Sequence, residues 1–255
     1  MTCFSDNIEM TKLIIEYANK NNIILKLNEK DVNGYYPLMR ACCKNNIDCV
    51  RLLMEYANKN NIILELNEKD VNGYYPLLIA CYKNSIECIR LLMEYADKNN
   101  IILNLNKKDV NGYYPLIEAC YKNNIDCVRL LIEYADKNNI ILDLNGKDNK
   151  NGNYPLFIAY KQYNIELIRL LMKYANKNNI ILKLNEKDVN GYYPLMYALD
   201  NITILKLLIK YANKHNIILN LNQNYEIEYS PIHSIYNIKI IEMVLFFSSF
   251  EKSII

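Results

Sequence analysis

Apolar residues recur along the chain in a short pattern and a long one. From Ile47 to Lys59 they fall at Ile47, Val50, Leu53 and Ala57, the three- and four-residue spacing of one helical face. Cys49, Leu52, Met54 and Tyr56 widen that face, as suits a helix packed on both sides by neighbours. Ahead of it, Leu38 to Lys44 predicts a shorter helix of about two turns. Asn45-Asn46 separates the two, because asparagine favours turns over helix interiors. Past Asn60-Asn61 the character changes to Ile62-Ile63-Leu64-Glu65-Leu66, short and β-branched at its start. This stretch reads as an extended arm, with continuation of the long helix through it as the alternative.

The whole pattern repeats, and one stretch sets its phase. Asp-Val-Asn-Gly-Tyr-Tyr-Pro-Leu occurs at Asp31–Leu38, Asp70–Leu77, Asp109–Leu116 and Asp188–Leu195, with a looser copy at Asp148–Leu156. Its glycines, Gly34, Gly73, Gly112, Gly152 and Gly191, are spaced 39, 39, 40 and 39 residues apart. The one extra residue lies inside the turn before Gly152, where little packing resists an insertion. Each glycine supplies the positive φ of a tight turn, and each following proline opens a helix where its missing N–H is harmless. Punctuation used once per period marks an internal repeat. The expected organisation is a single array over 1–255: a partial repeat over 1–30, full repeats over 31–69, 70–108, 109–147, 148–187 and 188–224, and a degenerate repeat or cap over 225–255. The fifth full repeat loses two residues between its helices, and the last unit places a helix from Ile238 to Phe247. Both ends read as incomplete, so a longer array, or a targeting segment of a larger enzyme or adaptor, stays open.

The order of turn, Pro-Leu, short helix, break, long helix and extended return resembles one family. Tyr36-Pro37-Leu38-Met39-Arg40-Ala41 falls on the T-P-L-H-x-A signature of the ankyrin repeat, a β-turn plus two helices. Ser230-Pro231-Ile232-His233 matches its first four positions more closely. Asp70, Gly73, Pro76, Leu77, Ala80, Ile86, Leu91 and Leu92 also fall where that family places its framework. The resemblance implies an all-α repeat solenoid of ankyrin-like helix-turn-helix pairs joined by β-hairpin or extended loops. Three departures stand out. Tyrosine replaces the threonine before proline, removing a helix cap worth roughly 1 kcal/mol. Ala57 and its equivalents replace the glycine that ends the second helix, so that helix runs further and an asparagine takes the left-handed stop. The period of about 39 exceeds the family's 33, which implies a longer arm between helix and turn.

Charge and composition narrow the function. The net charge is +2, with both signs mixed along the chain, so no basic field argues for nucleic acid or an anionic membrane. The N-terminus carries no signal-peptide pattern, and no apolar run approaches the ~18 residues of a membrane span. The expectation is a soluble cytoplasmic protein, with the nucleus also open. Of eight cysteines, Cys42, Cys81 and Cys120 share one repeat position and Cys49, Cys88 and Cys127 another; Cys3 is in register with the first row and Cys43 lies outside both. Cysteines locked to repeat positions read as buried, reduced wedges in the packing seam, and no CxxC or Cys/His cluster points to metal. His215 and His233 lie in different repeats, and no nucleophile–base set or phosphate loop is visible. Asp31, Asp70, Asp109, Asp148 and Asp188 occur once per repeat and read as turn framework. The chain thus reads as non-catalytic, with no cofactor and no metal.

Positions that differ between copies are free to serve recognition. In the resembled family the turn tips and the exposed side of the first helix line a concave groove. The first residue after the turn glycine reads Tyr35, Tyr74, Tyr113, Asn153 and Tyr192. Late in the first helix stand Cys43, Tyr82, Tyr121 and Lys161, then Lys44, Lys83, Lys122 and Gln162. The middle of that helix varies most: Arg40, Ile79, Glu118, Ile158 and Tyr197. Tyrosine offers rigid area and a hydrogen-bonding tip. The candidate partner-binding residues are therefore Tyr35, Tyr74, Tyr113, Tyr192, Arg40, Glu118, Tyr82, Tyr121, Lys44, Lys83 and Lys122. The competing reading packs these tyrosines turn against turn, and for the second of each pair, such as Tyr36 and Tyr75, packing is the expectation. The function expected is a monomeric protein–protein interaction scaffold or adaptor that takes another protein and no small-molecule substrate. The alternative is a nucleic-acid-binding module using the Tyr/Lys row.

Overall fold

A computed structural model of the chain describes residues 8–220. Cys3, His233, the helix expected from Ile238 and the rest of the degenerate last unit lie outside the described residues. Among the described residues the fold is all α. The helices are α1 (Ile8–Lys20), α2 (Pro37–Cys43), α3 (Ile47–Lys59), α4 (Pro76–Tyr82), α5 (Ile86–Lys98), α6 (Pro115–Tyr121), α7 (Ile125–Lys137), α8 (Pro155–Lys161), α9 (Ile165–Lys177), α10 (Pro194–Ala198) and α11 (Ile202–Lys214). They fall into two compact units, one ending at Asp143 and the other beginning at Leu144. None of them is long and apolar enough to cross a membrane.

Helix limits follow from local chemistry. Every short helix from α2 to α10 opens on its proline behind an extended tyrosine that makes no side-chain cap. The Asn45-Asn46 pair divides its work. Asn45 takes the left-handed conformation at φ 52°, and the Asn46 N–H returns 3.0 Å to the Ala41 carbonyl, closing α2. The Asn46 Oδ1 then accepts from the Cys49 N–H at 3.0 Å and caps α3. At the far end of α3, Asn61 is left-handed at φ 53° and the Ile62 N–H bonds the Ala57 carbonyl at 2.8 Å. The long helices thus run past the alanine and stop on an asparagine, as the sequence predicts.

Of the two loop forms expected, the extended one is present, with no strands among the described residues. Backbone polar groups without a ladder need other partners, and side chains supply them. Along the arm after α3, the Ile62 carbonyl accepts from the Tyr95 hydroxyl at 3.2 Å, which in turn accepts from the Leu64 N–H. Asn28 donates to the Ile63 carbonyl at 2.7 Å and accepts from the Glu65 N–H at 3.1 Å. The Glu65 carbonyl accepts from the Tyr36 hydroxyl at 2.6 Å. Asn67 and Asn106 repeat the asparagine bridge within the first unit, and Asn145 and Asn185 repeat it within the second. The tyrosine that lost the cap is therefore the one whose hydroxyl fastens the longer arm.

The core is continuous from repeat to repeat within each unit. In the first unit the two cysteine rows face each other as buried free thiols, with Sγ–Sγ separations of 3.5 Å for Cys42 and Cys88 and 3.9 Å for Cys81 and Cys127. The glycine turns touch the next repeat: a Cβ on Gly73, at φ 87°, would stand 2.8 Å from the Asp109 Cα. A backbone bond joins neighbouring tips, Val71 N–H to the Asn33 carbonyl at 3.2 Å and Val110 N–H to that of Asn72 at 3.0 Å.

Candidate functional site

Each turn is built on its aspartate. The Asp70 Oδ1 accepts from the Asn72 and Tyr74 N–H groups at 2.9 and 2.8 Å, and Asp31, Asp109 and Asp188 do the same in their own turns. This fold of the loop presents the first tyrosine of the pair outward and turns the second inward. Tyr36, Tyr75, Tyr114, Tyr154 and Tyr193 are all buried, as expected of them, while Tyr35, Tyr74 and Tyr113 are half-buried and Tyr192 is exposed.

In the first unit the outward tyrosines meet the residues late in the short helices. Tyr74 lies edge-on to Tyr82 with ring centroids 6.5 Å apart, and Tyr113 to Tyr121 at 5.8 Å. The ammonium of Lys122 stands 4.6 Å from the Tyr82 ring centroid and that of Lys83 5.6 Å from it, so the row crosses from one repeat to the next. Arg40 stacks 4.4 Å over Tyr35 and pairs with Asp31. Tyr82 remains 45% exposed, and Lys44, Lys83 and Lys122 are exposed. In the second unit Tyr192 packs against Tyr197 at 6.0 Å.

Glu118 departs from the expectation of a contact residue, because it is only 5% exposed. Its carboxylate acts on the surface from behind. Burial, and then the charges of Asp109 and Glu118, push the Tyr74 phenol up. Burial and the Asp70 carboxylate push the Tyr35 phenol up to about 12. Both tyrosines therefore present neutral hydroxyls with acidic groups behind them.

Two features escape a comparison that looks for differences between copies: the turn aspartate is the same in all five, and the valine after it in all but one, where Asn149 stands. One is the turn-tip valine: Val32 is 96% exposed, and Val71 and Val110 are exposed with it. An apolar residue placed between the aspartate and asparagine of a turn was the available signal. The other is the second oxygen of the turn aspartates. Oδ2 of Asp70, Asp109 and Asp188 is buried, with the Tyr35 and Tyr74 hydroxyls directed at the carboxylates of Asp70 and Asp109, while Oδ1 does the framework work assigned to it.

The helices, turns and side-chain rows define a helical repeat protein that presents one tyrosine-bearing turn per repeat. Three copies of a model of ankyrin repeats match residues 1–63, 57–141 and 137–220, and the chain belongs to the ankyrin-repeat family. Its fold is similar to the crystal structure of the ankyrin repeat domain of Bcl-3, a member of the IkappaB protein family. That likeness has a TM-score of 0.57 at 19% identity, over 80% of this chain and 81% of the other. A search of curated proteins gave no match.

Proposed function

We propose that the chain is a non-catalytic interaction scaffold that binds another protein on the face shared by its turn tips and short helices. Ankyrin repeats mediate protein–protein interaction, and a fold of this class leaves the partner to be set by surface residues. The observation that carries the reading is the pairing of Tyr74 with Tyr82 and of Tyr113 with Tyr121, rigid aromatic area left half open and edged by the charges of Lys83 and Lys122. Their inward twins show that a repeat of this type can bury a tyrosine completely when packing requires it. Reduced buried thiols suit the cytosol or the nucleus as the place of work.

The test is affinity capture with the intact chain and with a variant carrying Tyr74→Ala, Tyr113→Ala and Lys83→Glu. The variant, shown to be folded by circular dichroism, loses the partners that the intact chain retains. Unchanged recovery by the folded variant refutes the face. Capture of nucleic acid, with an affinity that falls steeply with salt, would replace the protein partner by the alternative.

A further inference from the structure

Each arm of the first unit turns one isoleucine outward. Ile24, Ile63, Ile102 and Ile141 are 65, 55, 58 and 57% exposed, while Leu64, Leu103 and Leu142, the residues that follow the last three, are buried. The isoleucines recur once per repeat, so the row has a pitch of about 10 Å, the spacing of packed helix layers. The asparagine bridges hold that pitch, because Asn28, Asn67 and Asn106 each donate to the carbonyl of the next isoleucine in the row at 2.7 or 2.8 Å. Four such residues make roughly 400 Å² of apolar surface, the scale at which an exposed patch marks an interaction site.

An extended chain returns to the same side at every second residue. The position after next along each arm reads Lys26, Glu65, Asn104 and Asp143, so drift has acted there while the isoleucine has been kept. Three residues further on, Glu29, Glu68 and Lys107 are exposed, and the 2.6 Å pair of Lys26 with Glu29 shows that these two positions share a side. The lysine next in line is used within the stack instead: Lys30 and Lys69 donate to the carbonyls of Lys69 and Lys108. The outward edge of the arms is thus an apolar row with a charge pattern beside it.

We propose that this edge seats a second copy of the chain, laid antiparallel so that Ile24 of one copy faces Ile141 of the other and Ile63 faces Ile102. In that register Lys26 faces Asp143, Glu68 faces Lys107 and Glu65 faces Asn104, each twice by symmetry, and none of these positions meets a like charge. Every other register does worse. A parallel pairing sets Glu65 on Glu65 and Glu68 on Glu68. An antiparallel pairing shifted by one repeat does the same in one direction, and in the other it brings Glu65 to Asp143 and Lys107 to Lys107. Juxtaposed like charges exclude wrong pairings. Lys26 and Glu68 also hold Glu29 and Lys30 of their own chain, so the charges choose the register and the isoleucines supply the affinity. Roughly 400 Å² per copy is about half of a standard interface, which makes the dimer a reversible one of micromolar affinity. It uses none of the residues of the tyrosine face.

Sedimentation velocity of the full chain, from micromolar to millimolar concentration, gives a mass that rises from monomer to dimer. Ile63→Asp and Ile102→Asp, each counted twice in a symmetric pair, keep the chain monomeric over the same range. Lys107→Glu, which sets an acid against Glu68, weakens the dimer about tenfold, and Glu68→Lys does the same. The variant carrying both charge changes restores it, since the reversed pair is complementary again. Ile181→Asp, in the second unit, leaves it unchanged. Circular dichroism establishes that every variant is folded. A monomer at all concentrations overturns the dimer. Dimerisation that survives Ile63→Asp, or is lost with Ile181→Asp, overturns the row as its seat. A double charge variant no stronger than the two single ones overturns the antiparallel register.

Discussion

The Tyr75 hydroxyl donates a 2.9 Å hydrogen bond to the Lys107 carbonyl, 32 residues further along the chain. The residue that begins one short helix thereby holds the arm that returns from the next repeat. Tyr36, Tyr114, Tyr154 and Tyr193 hold arms in the same way. Replacing Tyr75 by Phe removes the donor and keeps the packing. It should lower the unfolding free energy by about 1 kcal/mol, the net worth of one hydrogen bond to a part-buried carbonyl. Tyr74→Phe, on the outward residue, should change it by less than about 0.5 kcal/mol. Urea denaturation of the two variants separates the roles, and equal effects would contradict the division between inward and outward tyrosines.

The left-handed asparagines should be as sensitive as glycines. Asn100 sits at φ 55° after α5, and the Ile101 N–H closes on the Ala96 carbonyl at 2.8 Å. Asn100→Ala should cost about 1 kcal/mol, and Asn100→Gly should be neutral or stabilising. Tyr163 holds the same conformation at φ 52° with a side chain less suited to it. Thermal melts should therefore show Tyr163→Gly more stable than the parent, less the bond that the Tyr163 hydroxyl makes to Asp200.

Alkali should unfold the protein through its buried phenols. Burial pushes Tyr36, Tyr75, Tyr154 and Tyr160 up from the ordinary phenol value. The sign follows from proton counting. Below about pH 10 both states keep these protons and the full stability is present; above it the unfolded chain loses them first, so stability falls as pH rises. Tyrosine absorbance followed with pH should show the exposed phenols titrating first and the buried group appearing together with loss of helix. A smooth titration of all tyrosines with the helix intact would contradict the burial.

Thiol reactivity should sort by position. The Cys88 thiol and burial hold the Cys42 thiol well above its usual value, and burial does the same first for Cys81 and for Cys120. Only Cys43 among the described cysteines is half open. A disulfide reagent should label Cys43 in the native state, and Cys42, Cys49, Cys81, Cys88, Cys120 and Cys127 only at the rate of unfolding. Loss of the fast phase in Cys43→Ser, read by mass spectrometry of the labelled peptides, is the check.

What the sequence made legible was local. Pro76 opens α4, Asn84 stops it, and Asn99-Asn100 ends α5, because each of these residues has a conformational preference that acts within one turn of chain. The arm was less legible, since Ile62 to Leu66 is compatible with strand or helix until the left-handed Asn61 and the long-range tyrosine bonds decide it. Tyr36 read as a lost cap because its gain, a hydroxyl on the Glu65 carbonyl, lies 29 residues away. At the candidate site the outward and inward tyrosines were separable from their places beside glycine and proline. Glu118 was not, because its helix position looked free and its burial shows only once the chain is folded. The burial of the Asp70 and Asp109 Oδ2 atoms was beyond reach for a related reason: it is a property of everything around them.

The asparagine bridges carry a consequence for length. Asn67 offers its amide to Ile102 and Asn104 in the way that Asn106 offers its own to Ile141 and Asp143. A gene deletion that joined Lys69 to Asp109 would therefore hand the Asn67 amide to Ile141 and Asp143, and the new seam would repeat an old one. A protein joined this way can be lengthened or shortened only in whole periods, and its reach along a partner is counted in the same integers.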